Sequence, residues 1–417
     1  MMKVITASKA PTFWLISDPH LIADDLHDAG ARFQQMQATS AGKDLYYQEP
    51  ALKAFVRKLV KSKQESGQPD ALIVTGDLTF NGARASAVRF AEIFAPLEEA
   101  GIALLPVAGN HDIYDGWARK FAGEKEIRVD QISPQDWKQI FKSSYDLAIA
   151  QDPCSLAYSV NLNEHWRLIL ADSNLYGNEF SYSHPVTRGE IPAKELAWIE
   201  SQLKEAQKAG QEVLFFMHHN LYHHNSVVFH GFTLTNAKEL QELLTKYGAR
   251  CAFSGHIHAQ HVMSGWIPVP EVVSSCFAEA DEGYGIVSLT ASELHYRRQS
   301  FDIENYLSQA EKQAADLADF HKYLKKVFFD ANRQLIKMQA GEKFRQDDLD
   351  MIEKLVFQLH WDFFTGQSYK SDEYRAQIAE SAPYRELCLK APGLVKYLNS
   401  LYESTQPSDR LDLEWYD

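Results

Sequence analysis

Along the first 300 or so residues, short unbroken apolar runs alternate with stretches in which apolar positions recur every three or four residues. The runs cover residues 13–17, 71–75, 103–107, 167–171, 213–217 and 250–254. Apolar runs of this length suit strands covered on both faces. Between them, Pro50 opens a helical pattern in which Leu52, Phe55, Val56, Leu59 and Val60 share one face, with Gly67 beyond its end. Leu196, Ile199 and Leu203 form a second stripe ending near Gly210. Asn236 with Glu239 reads as a capping box ahead of Leu240, Leu243, Leu244 and Tyr247. The alternation predicts an α/β domain. Strands then follow one another over 271–275, 285–289 and 293–298, which predicts an antiparallel addition or a second sheet. After about Ser300 the strand signals stop. Residues 303–330, the stripe Leu349, Ile352, Val356 and Leu359, and the segments 372–380 and 393–402 all read as helical. We expect one α/β domain over residues 1–302 and an all-helical appendage over 303–417; its leucine and aromatic stripes make packing on the first domain the default, with partial capping of the site, a dimer interface or the binding of another protein as the further readings.

Composition narrows the class. Of 417 residues, 45% are hydrophobic and 24% charged, a globular balance. The net charge of −14 argues against a nucleic-acid polymer as partner, which would require a basic face. No apolar run approaches the roughly 20 residues of a membrane helix, and the first residues lack a signal-peptide core. Cys154, Cys251, Cys276 and Cys388 are widely spaced and form no CxxC pair, so neither a disulfide scaffold nor a thiolate zinc site is expected. A reduced, cytoplasmic setting fits.

The histidines change the picture. Eight of the 16 fall between His218 and His261, and imidazoles crowded like this are often metal ligands. Placed on the predicted strands, the chemistry-bearing residues sit just past strand ends, where open α/β sheets build their sites. The first strand is followed by Asp18-Pro19-His20, the second by Gly76-Asp77 and the third by Gly109-Asn110-His111-Asp112. Two later strands are followed by His218-His219 and Gly255-His256-Ile257-His258. Each piece alone is common; five in succession at strand exits are not. Two carboxylates, a carboxamide and four imidazoles exceed what one tetrahedral zinc needs. They suit two divalent ions about 3.5–4 Å apart sharing a carboxylate. Nitrogen and oxygen donors without thiolates point to Mn, Fe or Zn.

This set of motifs resembles the calcineurin-like metallophosphoesterases. The resemblance spans about the first 300 residues and implies a four-layer αββα sandwich with a dinuclear site at one edge. It further implies that Asp18, His20 and His258 hold one metal, that Asn110, His218 and His256 hold the other, and that Asp77 bridges them. His219 is the reserve for His218, and otherwise a substrate-facing residue together with His223. His111 is implied as the general acid assisting a metal-bound hydroxide, with Asp112 either orienting it or serving only as a turn or cap residue.

Departures from subfamily patterns narrow the branch. The run Gly76–Gly82 lacks the G-D-x-x-D-R-G form of the Ser/Thr protein phosphatases. Phe80 stands where purple acid phosphatases place a tyrosine ligand, and His20 is a ligand those enzymes lack. What remains is similar to bacterial class III cyclic nucleotide phosphodiesterases, with a helical C-terminal extension. This implies a small phosphate-ester substrate, first a 3′,5′-cyclic nucleotide. Alternatives are a monoester or nucleotide substrate, a phospholipid headgroup diester, or a protein-binding scaffold without catalysis. Asn81, Arg84, Asn174, Tyr176 and the loop bearing Tyr222, His224 and His230 are further candidates for the pocket wall. Oligomeric state is left open.

Overall fold

A computed structural model describes residues 2–415. Among these the strands are, in chain order, β1 (Thr12–Ile16), β2 (Ala71–Thr75), β3 (Ala103–Val107), β4 (Arg119–Ala122), β5 (Lys125–Arg128), β6 (Ala150–Gln151), β7 (Tyr158–Asn161), β8 (Trp166–Leu170), β9 (Glu212–Phe216), β10 (Cys251–Ser254), β11 (His261–Met263), β12 (Glu271–Val273), β13 (Tyr284–Leu289), β14 (Glu293–Gln299) and β15 (Arg410–Glu414). One sheet has the order β15-β14-β13-β1-β2-β3 and the other β11-β12-β10-β9-β8-β7-β6, while β4 and β5 form a separate hairpin. Strands β1, β2 and β3 are parallel, as are β8, β9, β10 and β12, and antiparallel strands extend both sheets.

Period-2 side-chain alternation explains why the strand sequences are apolar at every position. In the second sheet Leu168, Leu170, Leu214 and Phe216 face the first sheet, while Ile169, Val213 and Phe215 face outward. Phe13 of β1 meets Phe216 and Phe253 edge-on, with ring centroids 5.6 and 5.8 Å apart. The outer face of the second sheet is covered by Ile199 and Leu203 of helix Ala193–Ala209 and by Leu240 and Leu244 of helix Ala237–Lys246. On the other side Trp14 packs against Phe55 of helix Gln48–Ser66. The result is the expected αββα sandwich. Each fully buried large side chain removes apolar surface worth about 1.5–3 kcal/mol.

The expected capping box does not form, because the Asn236 side-chain oxygen accepts instead from the Ile191 amide at 3.1 Å. Among the elements that went unanticipated are helix Ala31–Ala38 and the hairpin β4–β5, both short and mostly polar, outside the reach of a periodicity reading.

The C-terminal segment is helical through Ser400, in helices Phe320–Ala340, Gln346–Phe364, Asp372–Glu380, Ala382–Lys390 and Pro392–Ser400. Its core of Ile336, Ile352, Val356, Leu359 and Leu398 is continuous with Ile257, Ala259 and Val273 of the sandwich. Beyond Ser400 the chain does not stay helical: β15 pairs antiparallel with β14 and completes the first sheet. Leu411 and Leu413 alternate there with charged residues, a period-2 signal only five residues long. No described helix is long and apolar enough to cross a membrane.

Inside the helical segment, His360 ties three helices together. Asn332 donates its amide to the Phe328 carbonyl, so its oxygen faces His360 Nδ1 as an acceptor. His360 Nε2 is thereby left bare to accept from the Tyr397 hydroxyl at 2.8 Å. Burial pushes the His360 pKa down to about 4 from 6.5. The unfolded chain therefore binds a proton that the folded chain refuses. This contribution, up to about 3 kcal/mol, is present above pH 6.5 and lost as pH falls toward 4. Melting temperature should drop between pH 7.5 and 4.5, and His360→Gln should flatten that drop while lowering stability at pH 7.5. An equally steep profile in the variant would show that His360 is not responsible.

Candidate metal centre

The carboxyl ends of β1, β2 and β3 from one sheet and of β9 and β10 from the other converge at one edge of the sandwich. Backbone hydrogen bonds stitch the exits together: the Asp18 amide donates to the Gly76 carbonyl at 3.1 Å and the His20 amide to the Asp77 carbonyl at 3.0 Å. Close approach is what the glycines permit. A Cβ on Gly109 would collide with the Asp77 amide, and one on Gly255 with the Ser17 hydroxyl. Asp18, His20, Asp77, His256 and His258 all have positive φ, from 44 to 69°. That conformation costs about 1–2 kcal/mol per residue for a side chain with a Cβ, and such strain gathers at functional sites.

The side chains so placed fall into two groups sharing Asp77: Asp18, His20, Asp77 and His258, and Asp77, His218 and His256, each with its ligand atoms within 4.8 Å of one another. His20 Nε2 and His258 Nε2 are 3.2 Å apart, and Asp18 Oδ1 lies 3.4 Å from His258 Nε2. In the second group His218 Nε2 is 3.4 Å from Asp77 Oδ1 and 3.1 Å from the Asn110 side-chain oxygen.

The tautomers show what this arrangement requires. His218 Nδ1 donates to the Thr75 carbonyl at 2.8 Å, so a neutral ring turns a bare Nε2 toward two oxygen acceptors. His256 Nε2 donates to the Thr187 carbonyl at 2.8 Å, leaving Nδ1 for the centre. His258 Nδ1 faces Glu279 at 3.2 Å, leaving Nε2 free. Asp18 Oδ1 is buried without a donor among the described residues. Lone pairs converging without protons are unfavourable unless positive charge lies between them, and carboxylate, carboxamide and imidazole donors fit divalent cations. Cys276 lies beside His20 and His258. Its thiol donates to the Asp18 carbonyl at 3.0 Å, and burial with Glu279 and Asp18 nearby pushes its pKa up, so it stays protonated.

The ionisation of the metal-free protein reports the same demand. Burial opposes charge on His218, yet Asp77 and Asp18 push its pKa up to about 9. Burial and Lys43 oppose charge on His258, yet Glu279 and Asp18 bring it likewise to about 9. Burial raises the Asp77 carboxyl, but His218 and His111 outweigh it and hold Asp77 well below the usual range. His256, buried beside His218, is pushed down to about 3.

Several residues that fix this geometry left no sequence signal. Glu271 accepts from the Leu221 and Tyr222 amides, from the Ser254 hydroxyl at 2.6 Å and from His224 Nε2 at 2.8 Å, pinning the exits of β9 and β10. Asp112 does not face His111. It accepts from the amides of Leu78, Thr79 and Gly109, so its turn role is the one realised. The carboxylate facing His111 Nδ1, at 3.5 Å, belongs to Asp115. The spacing of four residues was the only hint available.

The two residues expected beside substrate, His219 and His223, lie away from the cleft of His20 and His111. His219 is fully buried, with Nε2 donating to the Thr187 carbonyl at 3.0 Å and Nδ1 accepting from the Ser173 hydroxyl at 2.8 Å, so it offers no free nitrogen. His223 bonds Thr233 at 2.9 Å and lines a separate cleft where Ser400 and Glu403 meet the sandwich. Neither side chain is among those lining the cleft onto which His20 and His111 open. Arg84 pairs with Asp136 at 2.9 Å, and Asn174 and Tyr176 bond Asp172 at 2.9 and 2.6 Å. Asn81 does line the cleft onto which His20 and His111 open.

With this geometry in view, the comparisons are consistent. The calcineurin-like phosphoesterase family profile matches residues 11–260, and the chain belongs to that family of two-metal hydrolases. A second profile, the C-terminal domain of cyclic nucleotide phosphodiesterase, matches residues 302–407. The chain is 24% identical over 253 residues to the 3′,5′-cyclic adenosine monophosphate phosphodiesterase CpdA of Haemophilus influenzae, covering 60% of this chain and 70% of that protein. It is 26% identical over 212 residues to CpdA of Vibrio vulnificus, covering 50% of this chain and 61% of that protein. Among solved structures, a dimetal phosphatase from Danio rerio superposes with a TM-score of 0.50 at 13% identity, over 70% of this chain and 96% of the other, a likeness of fold.

Divalent metal binding should release protons, because His218 and His258 each hold one at neutral pH. Affinity should therefore rise between pH 6.5 and 9, by roughly tenfold per unit for each proton displaced. Calorimetric titration with Mn2+ in two buffers of different ionisation enthalpy measures the release. Binding without proton release would overturn the assignment of these rings.

Proposed function

We propose that this chain is a phosphodiesterase acting on small phosphodiesters, first among them 3′,5′-cyclic nucleotides. The observation that carries the reading is the pair of donor groups sharing Asp77 and opening, through His20 and His111, onto one cleft. In this reading Asp18, His20 and His258 hold one divalent ion, Asn110, His218 and His256 the other, and Asp77 both. Ions bound there supply Lewis acidity toward the phosphoryl oxygens and a nucleophile at neutral pH. Mn, Fe or Zn suits the donor set.

The chain's own residues do the rest. The His111 amide donates to Asp77 Oδ1 at 2.9 Å, fixing the residue against the bridging position. Burial opposes its charge, but Asp77 and Asp115 raise its pKa above the ordinary value. The shift favours the protonated ring, which stands at the cleft wall where it can pass a proton to a departing oxygen. The choice of a cyclic nucleotide is supported by the relatives' activities and by the profile match over residues 302–407. We treat residues 1–302 as the phosphoesterase unit and 303–417 as a buttress behind its His256–His258 loop.

Protein loaded with Mn2+ should turn over 3′,5′-cAMP and bis-p-nitrophenyl phosphate faster than the monoester p-nitrophenyl phosphate. His111→Ala should lower kcat by about 10²–10⁴-fold with metal content unchanged, whereas Asp77→Ala should lose both metal and activity. Asp115→Asn removes a charge that raises the His111 pKa, so the basic limb of its pH–rate profile should move to lower pH. Two bound metals without diester turnover would refute the reading.

A further inference from the structure

The cleft at the metal centre has a volume of about 450 Å3. Its inner end is His20 and His111. Its outer wall comes from two elements that the apolar pattern did not reveal, helix Ala31–Ala38 with the turn to Lys43, and the hairpin β4–β5.

Three observations describe what this space would hold. The first is aromatic. Phe80 lies parallel to the His111 ring at a centroid distance of 6.5 Å and meets His20 edge-on at 6.0 Å, while the half-buried Trp117 ring stands 5.9 Å from His111. The indole is also contacted by His184, edge-on at 5.0 Å, and by the Arg119 guanidinium, whose carbon is 5.9 Å from the ring and whose Nε donates to the Trp117 carbonyl at 2.5 Å. A large flat side chain thus stands at the lip of the centre with neighbours on the ring. The second observation is charge. The protein carries −14 overall, yet the cleft is lined by Arg32, Lys43 and Arg119 against the single carboxylate of Glu126. Both arginines pair with that one carboxylate, and Lys43 is 3.4 Å from Glu279. The third is size: the volume lies toward the lower end of the roughly 300–1,000 Å3 usual for small-ligand sites, enough for a mononucleotide and too little for a polymer.

We propose that this cleft is the nucleoside subsite, with a planar base against Trp117 and Phe80 and the anionic ester at the inner end beside Lys43. The proposal rests on the phosphodiesterase reading and goes beyond it by assigning base recognition to residues 31–43 and to the 117–126 segment. Aromatic faces offered to a base contribute through stacking and apolar burial.

The test compares two ligands that share a phosphate. In the Mn2+-loaded protein, 5′-AMP should bind at least about tenfold more tightly than inorganic phosphate by calorimetry, a difference of about 1.4 kcal/mol. Trp117→Ala should remove that preference while leaving phosphate affinity intact, which also shows that the variant folds. Trp117→Phe should retain most of the preference. Thr39→Trp, placed on the exposed outer wall, should weaken AMP alone by filling the cleft, and it serves if Trp117→Ala does not fold. Equal affinity for AMP and phosphate in the unaltered protein overturns the subsite, as does a preference surviving both Trp117→Ala and Thr39→Trp. If AMP is preferred and the preference falls with these variants while 3′,5′-cAMP is not hydrolysed, the subsite stands and the cyclic-nucleotide reading fails. If cAMP is hydrolysed and the variants bind AMP normally, the reverse holds.

Discussion

Two buried carboxylates, Asp18 and Asp77, set the terms for the rest of this molecule. Each is removed from water at the meeting edge of two sheets, where an uncompensated charge would cost several kcal/mol. Positive charge must therefore be brought to them. Without metal it comes as protons on His218 and His258, both held at about pKa 9. Divalent ions, which this family binds, meet the same demand. Electroneutrality of one buried spot thus links fold, ionisation and metal affinity.

Holding that spot together is expensive, and the structure distributes the cost. Five of its side chains sit on residues with positive φ, a conformation kept only where the surroundings over-determine it. Glu271 anchors the amides that follow His218 and the hydroxyl of Ser254 before His256. Asp112 anchors the exits of β2 and β3. From behind, Ile257, between two expected ligands, is buried in the core of the C-terminal helices. The helical segment is therefore joined to the centre through packing, and β15 ties its end back into the first sheet. Where its last turns meet the sandwich, a chain of hydrogen bonds runs from Ser404 through His261 and His224 to Glu271, at 3.0, 2.9 and 2.8 Å. Glu271 accepts the last of these links, from His224 Nε2. The same carboxylate serves the docking seam and the loop after His218.

Much of this was legible in the chain. Unbroken apolar strands, covered on both faces, announced a layered α/β core. The motifs after five strands named every residue now found in the two donor groups, because each ligand had to lie within one to four residues of a strand end. Proximity in sequence made it visible. The residues that orient those ligands were not visible, because their partners are remote: Glu279 lies 21 positions from His258 and Glu271 lies 50 from Leu221. Asp112 was adjacent to His111 and still faced away. Histidine crowding likewise misled about His223, which the chain carries to another cleft.

The sequence by itself determined the sandwich, the helical segment and the identity of the donor side chains, since local periodicity and strand-end chemistry act over a few residues. Only the tertiary structure decided which nitrogen of each imidazole is free, which carboxylate faces His111, and which wall a substrate would meet. Those depend on hydrogen-bond partners and surfaces supplied by distant segments. The cleft wall is the clearest case: a short polar helix and a four-residue-stranded hairpin carry no periodic signature, and their meaning comes from lying next to the metal centre.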